Sequence, residues 1–274
     1  MVQDRPDSLL DVEGLSVWFE TAAGPARALR TIGFSVAPGE IVAIVGESGS
    51  GKSTAALSIL RLLGAGARIE GKITFKGEDL LRYDEAKMRS VRGAQIGMIF
   101  QDPSSALNPV RSIGWQIGEV LRIRNGASDV VEARVRELLA LVGIRDPAAA
   151  ARMYPHQFSG GMRQRAMIAM ATACNPSLLI ADEPTTALDV TVQERIIELL
   201  LDLRRRFSMA ILVITHNLGM VARLADKVVV LYKGEIVEVG DIMDVFGKPR
   251  HGYTKSLLAA VPTIAWSSSR KARG

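Results

Sequence analysis

The run Gly46-Glu47-Ser48-Gly49-Ser50-Gly51-Lys52-Ser53-Thr54 has the residue types and spacing of a phosphate cradle. Its glycines let consecutive backbone N–H groups turn inward onto an anion, and a helix opening at Lys52 aims its positive end at the same charge. Lys52 adds an ammonium suited to β- and γ-phosphates, while the Ser53 hydroxyl is a hard oxygen of the kind Mg²⁺ takes. Much later, Leu178-Leu179-Ile180-Ala181-Asp182-Glu183-Pro184 runs an apolar strand into two adjacent carboxylates. Successive strand residues face opposite ways, but where the chain turns at the strand tip both acids reach a ligand crevice. Asp182 there suits Mg²⁺ through water, and Glu183 is placed to polarise an attacking water as general base. Between the two, Ser159-Gly160-Gly161-Met162 opens a helical run. By itself this triplet reads first as an ordinary helix cap and only second as a phosphate-binding N-terminus.

The elements that must carry these groups are legible around them. Residues 41–45 form a short, continuous β-branched run, the pattern of a strand buried on both faces, and they lead directly into the glycine-rich loop. A helix is expected over 52–63, and strands over 9–19, 29–36, 72–75, 96–100, 177–181 and 209–215. Residues 22–25 read as a turn-rich link and Pro38-Gly39 as a turn. From about 103 to 161 the pattern is helical, and over 128–142 Val131, Val135, Leu138, Leu139 and Val142 share one face behind Ser128 or Asp129 as cap. A helix over 191–206 is expected to start with a Thr191-x-x-Glu194 capping box. Asn217 should cap a short helix, and 227–232, Lys233-Gly234 and 235–239 make a hairpin. Buried strands alternating with helices imply an α/β core with a largely parallel sheet.

Composition narrows the classes further. The chain has 274 residues, 48% hydrophobic, and net charge +5, enough for a large core and compatible with phosphorylated ligands, anionic lipid or nucleic acid. The charge is scattered; clusters at Arg204-Arg205-Arg206 and at Arg270, Lys271 and Arg273 read as solvated faces and a basic tail. Cys174 is the single cysteine, which excludes a disulfide framework and a self-contained iron–sulfur cluster, and it is expected to be a small buried core residue. The first residues carry Asp4, Arg5 and Asp7 with no apolar run behind them, and no segment is apolar enough to span a bilayer. An intracellular chain that does not itself cross a membrane is therefore expected.

The order of these groups carries a resemblance. The P-loop pattern of residues 46–54, Gln101 at a strand end, Ser159–Met162, Asp182-Glu183, Leu188-Asp189 and then His216 after an apolar strand form an ordered set similar to the nucleotide-binding subunit of ABC transporters, over about residues 9–262. The resemblance implies a P-loop NTPase of ABC type: a RecA-like, mostly parallel core sheet, an N-terminal antiparallel β-subdomain and an inserted helical subdomain. The expected boundaries are 1–103 with 162–240 for the ATP-binding core, 104–161 for the helical subdomain, 241–262 for a C-terminal helical extension and 263–274 for the basic tail. It implies ATP and Mg²⁺ as ligands. Gln101 would touch Mg²⁺ and the lytic water, with Ser53 and Asp182 on the metal. Ser159, Gly160, Gly161 and Met162 would be the signature, Asp189 the D-loop aspartate and His216 the γ-phosphate switch. Phe19, with Trp18 as competitor, would stack on adenine. Two such subunits would pair head to tail, each signature closing over ATP on the other's P-loop.

Phe158–Arg165, the runs 99–109 and 181–189, and His251-Gly252-Tyr253-Thr254 with the four residues after it resemble the oligopeptide, dipeptide and nickel importer group. Within it they are most similar to the D type of its two unlike ATPases. Met162 stands where the general signature has glutamine, and Gly252 where the group usually has proline. The resemblance implies an F-type sister ATPase, two integral membrane permease subunits and an extracytoplasmic solute-binding protein reached through them. No nucleic acid is implied, and the location is the cytoplasmic face of the inner membrane. Leu107, Asn108 and Pro109 would lie in the groove that receives a permease helix. An accessory cassette of a soluble complex is the competing reading. A DNA-repair ATPase would need a long coiled coil, and no sustained heptads occur here. A ribosome-associated factor would need a second P-loop.

Overall fold

In the computed structural model the described residues are 8–22, 24–123, 128–186 and 188–260. The tail expected over 263–274 lies outside them, as do the last two residues of the extension, Ala23, Ala187 and the side chains of Ser128 and Asp129. The chain divides into two compact units, one running through Asp84 and resuming at Ala210, the other spanning Glu85–Met209.

The first unit opens with β1 (Leu10–Thr21) and β2 (Gly24–Val36), an antiparallel hairpin whose pairing runs to Thr21 opposite Gly24. β2 thus begins at Gly24 rather than at Leu29, because ladder hydrogen bonds continue through a stretch whose composition reads as a link. The turn at Pro38-Gly39 is present, closed by the Glu40 N–H donating to the Ala37 carbonyl at 3.1 Å. β3 (Ile41–Val45) is buried at every residue, as a β-branched strand covered on both faces must be. α1 (Lys52–Ile59) stops short of the expected Leu63. The Leu62 N–H donates to the Leu57 carbonyl and the Arg61 N–H to the Ser58 carbonyl, a Schellman ending that puts Arg61 at φ 51°. Its guanidinium offsets that strain by donating to the carbonyls of Leu80 and Tyr83. β4 (Ala67–Phe75) and the short β5 (Glu78–Asp79) complete an antiparallel sheet in the order β2-β1-β4-β5.

The second unit begins with α2 (Glu85–Val91), which periodicity does not reveal because only Met88 and Val91 are buried in it. β6 (Ile96–Ile99) follows, then α3 (Pro103–Ala106), α4 (Ile113–Arg122), α5 (Ser128–Leu141) and α6 (Pro147–Arg152). The five apolar residues expected on one face of α5 and its C-terminal edge are all buried. α7 (Gly160–Thr172) leads to β7 (Leu178–Asp182), which pairs with β6 in parallel, Ile99 opposite Ala181. α8 (Val190–Phe207) closes the unit. Its cap is Asp189, whose carboxylate accepts the Val192 N–H at 3.0 Å, and not the Thr191 box. Thr191 lies inside the first turn, where its hydroxyl is too late in the chain to reach the orphan donors.

The chain then returns to the first unit with β8 (Ala210–Thr215), α9 (Leu218–Leu224), β9 (Lys227–Tyr232) and β10 (Glu235–Asp241). Asn217 caps α9 as expected, accepting the Met220 N–H at 3.1 Å. Lys233 and Gly234 both take positive φ, 48° and 82°, which closes the β9–β10 hairpin in a two-residue turn. β3 pairs in parallel with β8 on one side and β9 on the other. α10 (Ile242–Gly247) and α11 (Gly252–Ala259) finish the described chain. Gly252 is the first residue of α11, a position that tolerates proline equally. Among the described residues no helix is long and apolar enough to cross a membrane.

Candidate functional site

In the first unit the P-loop leaves the C-terminal end of β3 and becomes α1. Gly46 takes φ 157°, and a Cβ built there would stand 2.1 Å from the Leu231 carbonyl oxygen and 2.8 Å from Ser50 Oγ. Gly49 and Gly51 take φ 79° and 104°, left-handed values open to glycine. Lys52 is buried at 5% exposure and curls over the loop, donating from Nζ to the carbonyls of Gly46 at 2.8 Å and Glu47 at 2.7 Å. Ser50 Oγ is buried without a hydrogen-bond partner. A buried cation and an orphaned hydroxyl within a turn of glycine backbone fit a phosphate, whose oxygens satisfy both. Val45 lies opposite Thr215 in the parallel register, so Gly46 and His216 leave neighbouring strands at the same sheet edge. His216 is exposed there, beside the Asn217 cap.

In the second unit β6 and β7 repeat that arrangement. Gln101 follows β6, Asp182 ends β7 at 5% exposure, and Glu183 turns off the strand at φ 47°. A left-handed glutamate is strained by about 1–2 kcal/mol, and such strain gathers at functional sites. The turn is held locally: the Thr186 N–H donates to the Glu183 carbonyl at 3.1 Å. The Glu183 carboxylate is held too, with Oε2 accepting the Thr186 hydroxyl at 2.6 Å and Gln101 Nε2 at 3.4 Å. The structure therefore joins Gln101 to Glu183. It adds Thr186, which motif reading missed although the residue stands three places past Glu183. Thr186→Val should lower turnover roughly 3- to 10-fold, the worth of one hydrogen bond, with KM for ATP unchanged and Thr186→Ser restoring the rate. An unaltered kcat in Thr186→Val contradicts this role.

Ser159 caps α7, its hydroxyl accepting the Met162 N–H at 3.3 Å. A Cβ on Gly161 would come within 3.0 Å of Val192 Cγ1, so that glycine lets the N-terminal end of α7 sit against the start of α8. Ser159 and Gly160 are exposed, as is Asp189. Trp18 is engaged by arginines, with Arg27 at 4.9 Å and Arg68 at 5.6 Å from its ring centroid. Phe19 is half-buried, and no ring contact to it is seen among the described residues. Two expectations need correction. Leu107 is buried at 3% exposure and so is not presented to a partner, because it caps α3 and turns into the unit's core, whereas Asn108 and Pro109 are exposed. Cys174 is half-buried rather than a core residue, since it sits past the end of α7 with Sγ 3.9 Å from the Val120 carbonyl oxygen.

Comparison with known proteins agrees with this geometry. The ABC transporter family model matches residues 29–186. The dipeptide transport ATP-binding protein DppD of Escherichia coli is 50% identical over 97% of this chain and 82% of its own length. The oligopeptide transport ATP-binding protein OppD of Bacillus subtilis is 48% identical over 97% of this chain and 75% of its own. Among solved structures, the dimeric bacterial ABC transporter cassette MJ0796 superposes with a TM-score of 0.77 at 28% identity, covering 85% of this chain and 98% of that one. The same cassette in a post-hydrolysis state bound to ADP and Pi gives 0.76 at 28% identity, with the same coverage of both chains. With a family model matched over more than half of its length and relatives about 50% identical, the chain belongs to the ABC transporter family, as one of its ATP-binding, ATP-hydrolysing subunits.

Proposed function

We propose that this chain is the motor subunit of an importer for di- or oligopeptides. The reading rests on one observation above the others: identity of about half, over 97% of this chain, to peptide-transport ATP-binding proteins. In this reading the backbone of Gly46–Thr54 and the Lys52 ammonium bind the β- and γ-phosphates, and Phe19 stacks on adenine. Ser53, Asp182 and Gln101 offer the hard oxygens Mg²⁺ accepts while it keeps much of its water; when bound, the ion neutralises phosphate charge. Water attacks the γ-phosphorus as Glu183 takes its proton, a new P–O bond forms and the β–γ bridging bond breaks. His216 holds the γ-phosphate. Ser159, Gly160, Gly161 and Met162 close over the nucleotide of a head-to-tail partner, an F-type sister subunit, with Asp189 beside them.

ATP favours the closed pair by binding it more tightly, and the helices over 104–161 transmit closure to two permease subunits at the cytoplasmic face of the membrane. A solute-binding protein delivers cargo to those permeases. The exposed Val110 and Tyr154, 74% and 41% accessible, border a hollow with Pro109 and Met153, closed on its polar side by Arg152, His156 and Gln157. That apolar rim supports docking of a permease helix there.

Deleting the gene should abolish dipeptide or oligopeptide uptake, and the tagged chain should co-purify with integral membrane proteins. Restoration of nickel uptake by the gene would replace the cargo. Purification without membrane proteins would favour an accessory cassette.

A further inference from the structure

The segment around Tyr253 has no part in the roles assigned above, yet it reaches the phosphate cradle. α11 is anchored at its start by Glu238 on β10, whose carboxylate accepts the N–H groups of Arg250 at 2.9 Å and His251 at 3.1 Å. Burial alone would raise the Glu238 carboxyl, but hydrogen bonds donated to it, those two among them, hold it below its ordinary value. It is therefore an anion suited to that grip. His251 Nδ1 accepts the Tyr253 N–H at 3.1 Å, capping the helix, and Thr254 is 1% exposed. The Tyr253 ring lies 4.2 Å from that of Tyr232, the last residue of β9, at 30° between planes. Burial raises the Tyr253 phenol above its ordinary value, so its hydroxyl is neutral.

From that fixed position the hydroxyl oxygen accepts the backbone N–H of Glu47 at 2.9 Å. Glu47 is the second residue of the P-loop, and its carbonyl in turn accepts Lys52 Nζ at 2.7 Å and the Ser50 N–H at 3.2 Å. One residue thus connects Tyr253 to the lysine and to the orphaned serine of the cradle. Glu47 is an exposed residue, so without the phenol its N–H would pass to water and the Gly46–Glu47 peptide would gain rotational freedom. A cradle of backbone donors binds an anion well only when those donors are already aimed.

We propose that Tyr253 is a positioning residue for nucleotide binding, with α11 acting as a strap that holds the P-loop in its phosphate-receiving shape through the Glu47 N–H. The inference rests on the P-loop being the nucleotide site. It is tested on the full chain by measuring ADP–Mg²⁺ dissociation constants and thermal midpoints for wild type, Tyr253→Phe and Tyr232→Phe. Tyr253→Phe keeps the ring and its packing but loses the acceptor oxygen. It should raise the dissociation constant roughly 3- to 10-fold while the midpoint without nucleotide stays within about 2 °C of wild type. Tyr232→Phe, which leaves the Tyr253 hydroxyl in place, should bind as wild type does. With the sister subunit present, the same change should appear in KM for ATP and leave kcat alone. Equal affinity in Tyr253→Phe and wild type overturns the inference. So does a loss of affinity matched by a comparable loss in Tyr232→Phe, or a binding loss accompanied by general unfolding. Failure of the wild-type chain to bind ADP at all would instead remove the reading on which it rests.

Discussion

Glu183→Gln is expected to retain ATP with wild-type affinity and to lose roughly 10²- to 10⁴-fold in turnover, the usual effect of removing a general base. Glutamine keeps the length and shape of the side chain and can still accept from Thr186 through its carbonyl oxygen. What it loses is the capacity to take a proton. The local structure makes the substitution clean, because the strained φ of 47° at residue 183 is held by the Thr186 N–H and not by the carboxylate's charge. The check is ATPase activity with the sister subunit, alongside nucleotide binding by the same preparation. Hydrolysis near the wild-type rate would remove Glu183 from the mechanism. Weak nucleotide binding would mean instead that the carboxylate shapes the pocket.

Gly46→Ala is expected to be the most damaging small change in the P-loop. The added methyl carbon would stand 2.1 Å from a backbone oxygen of Leu231, far inside contact distance, and neither β3 nor β9 can retreat because the two are paired in the sheet. Overlap with backbone in a packed core and strain at a left-handed position add, so stability should fall by roughly 3 kcal/mol or more. In a chain of this size that corresponds to about 6–12 °C in Tm, together with loss of nucleotide retention. Gly49→Ala is the control. Its φ is also positive, at 79°, but no atom lies within 4 Å of the added carbon. It should lose only about 1 kcal/mol of conformational strain. Equal melting temperatures for the two variants would show that the close approach at Gly46 is relieved by movement of the loop.

Much of this molecule could be anticipated because its chemistry is built from contiguous residues. A P-loop is a stretch of backbone, so glycine spacing, the buried strand before it and the helix after it all lie in one reading frame. The same holds for Asn217, whose side chain reaches a donor three residues on, and for Ser159 at the start of α7. The five-residue apolar face behind α5 was legible for a related reason: helical periodicity is a local property.

Where expectation and structure part, the deciding contact is remote or depends on which neighbour arrives first. α1 ends at Ile59 because Arg61 finds the carbonyls of Leu80 and Tyr83, and no periodicity within the helix encodes that. Asp189 takes the cap of α8 that Thr191 and Glu194 seemed to offer, since it stands two residues earlier, where its carboxylate reaches the exposed donors. Leu107 turns inward and Cys174 stops short of the core for reasons of packing around α3, α4 and α7. The hold of Thr186 on Glu183 is close in sequence, yet it depends on a left-handed turn that composition does not announce.

By itself the chain pointed to the residues proposed to meet phosphate, metal and water, because side-chain chemistry and backbone freedom are written locally. Only the tertiary structure decided how those residues are aimed. Tyr253 reaches Glu47 across 206 positions of sequence, and a contact of that kind exists only once burial of the sheet has brought distant segments to one edge.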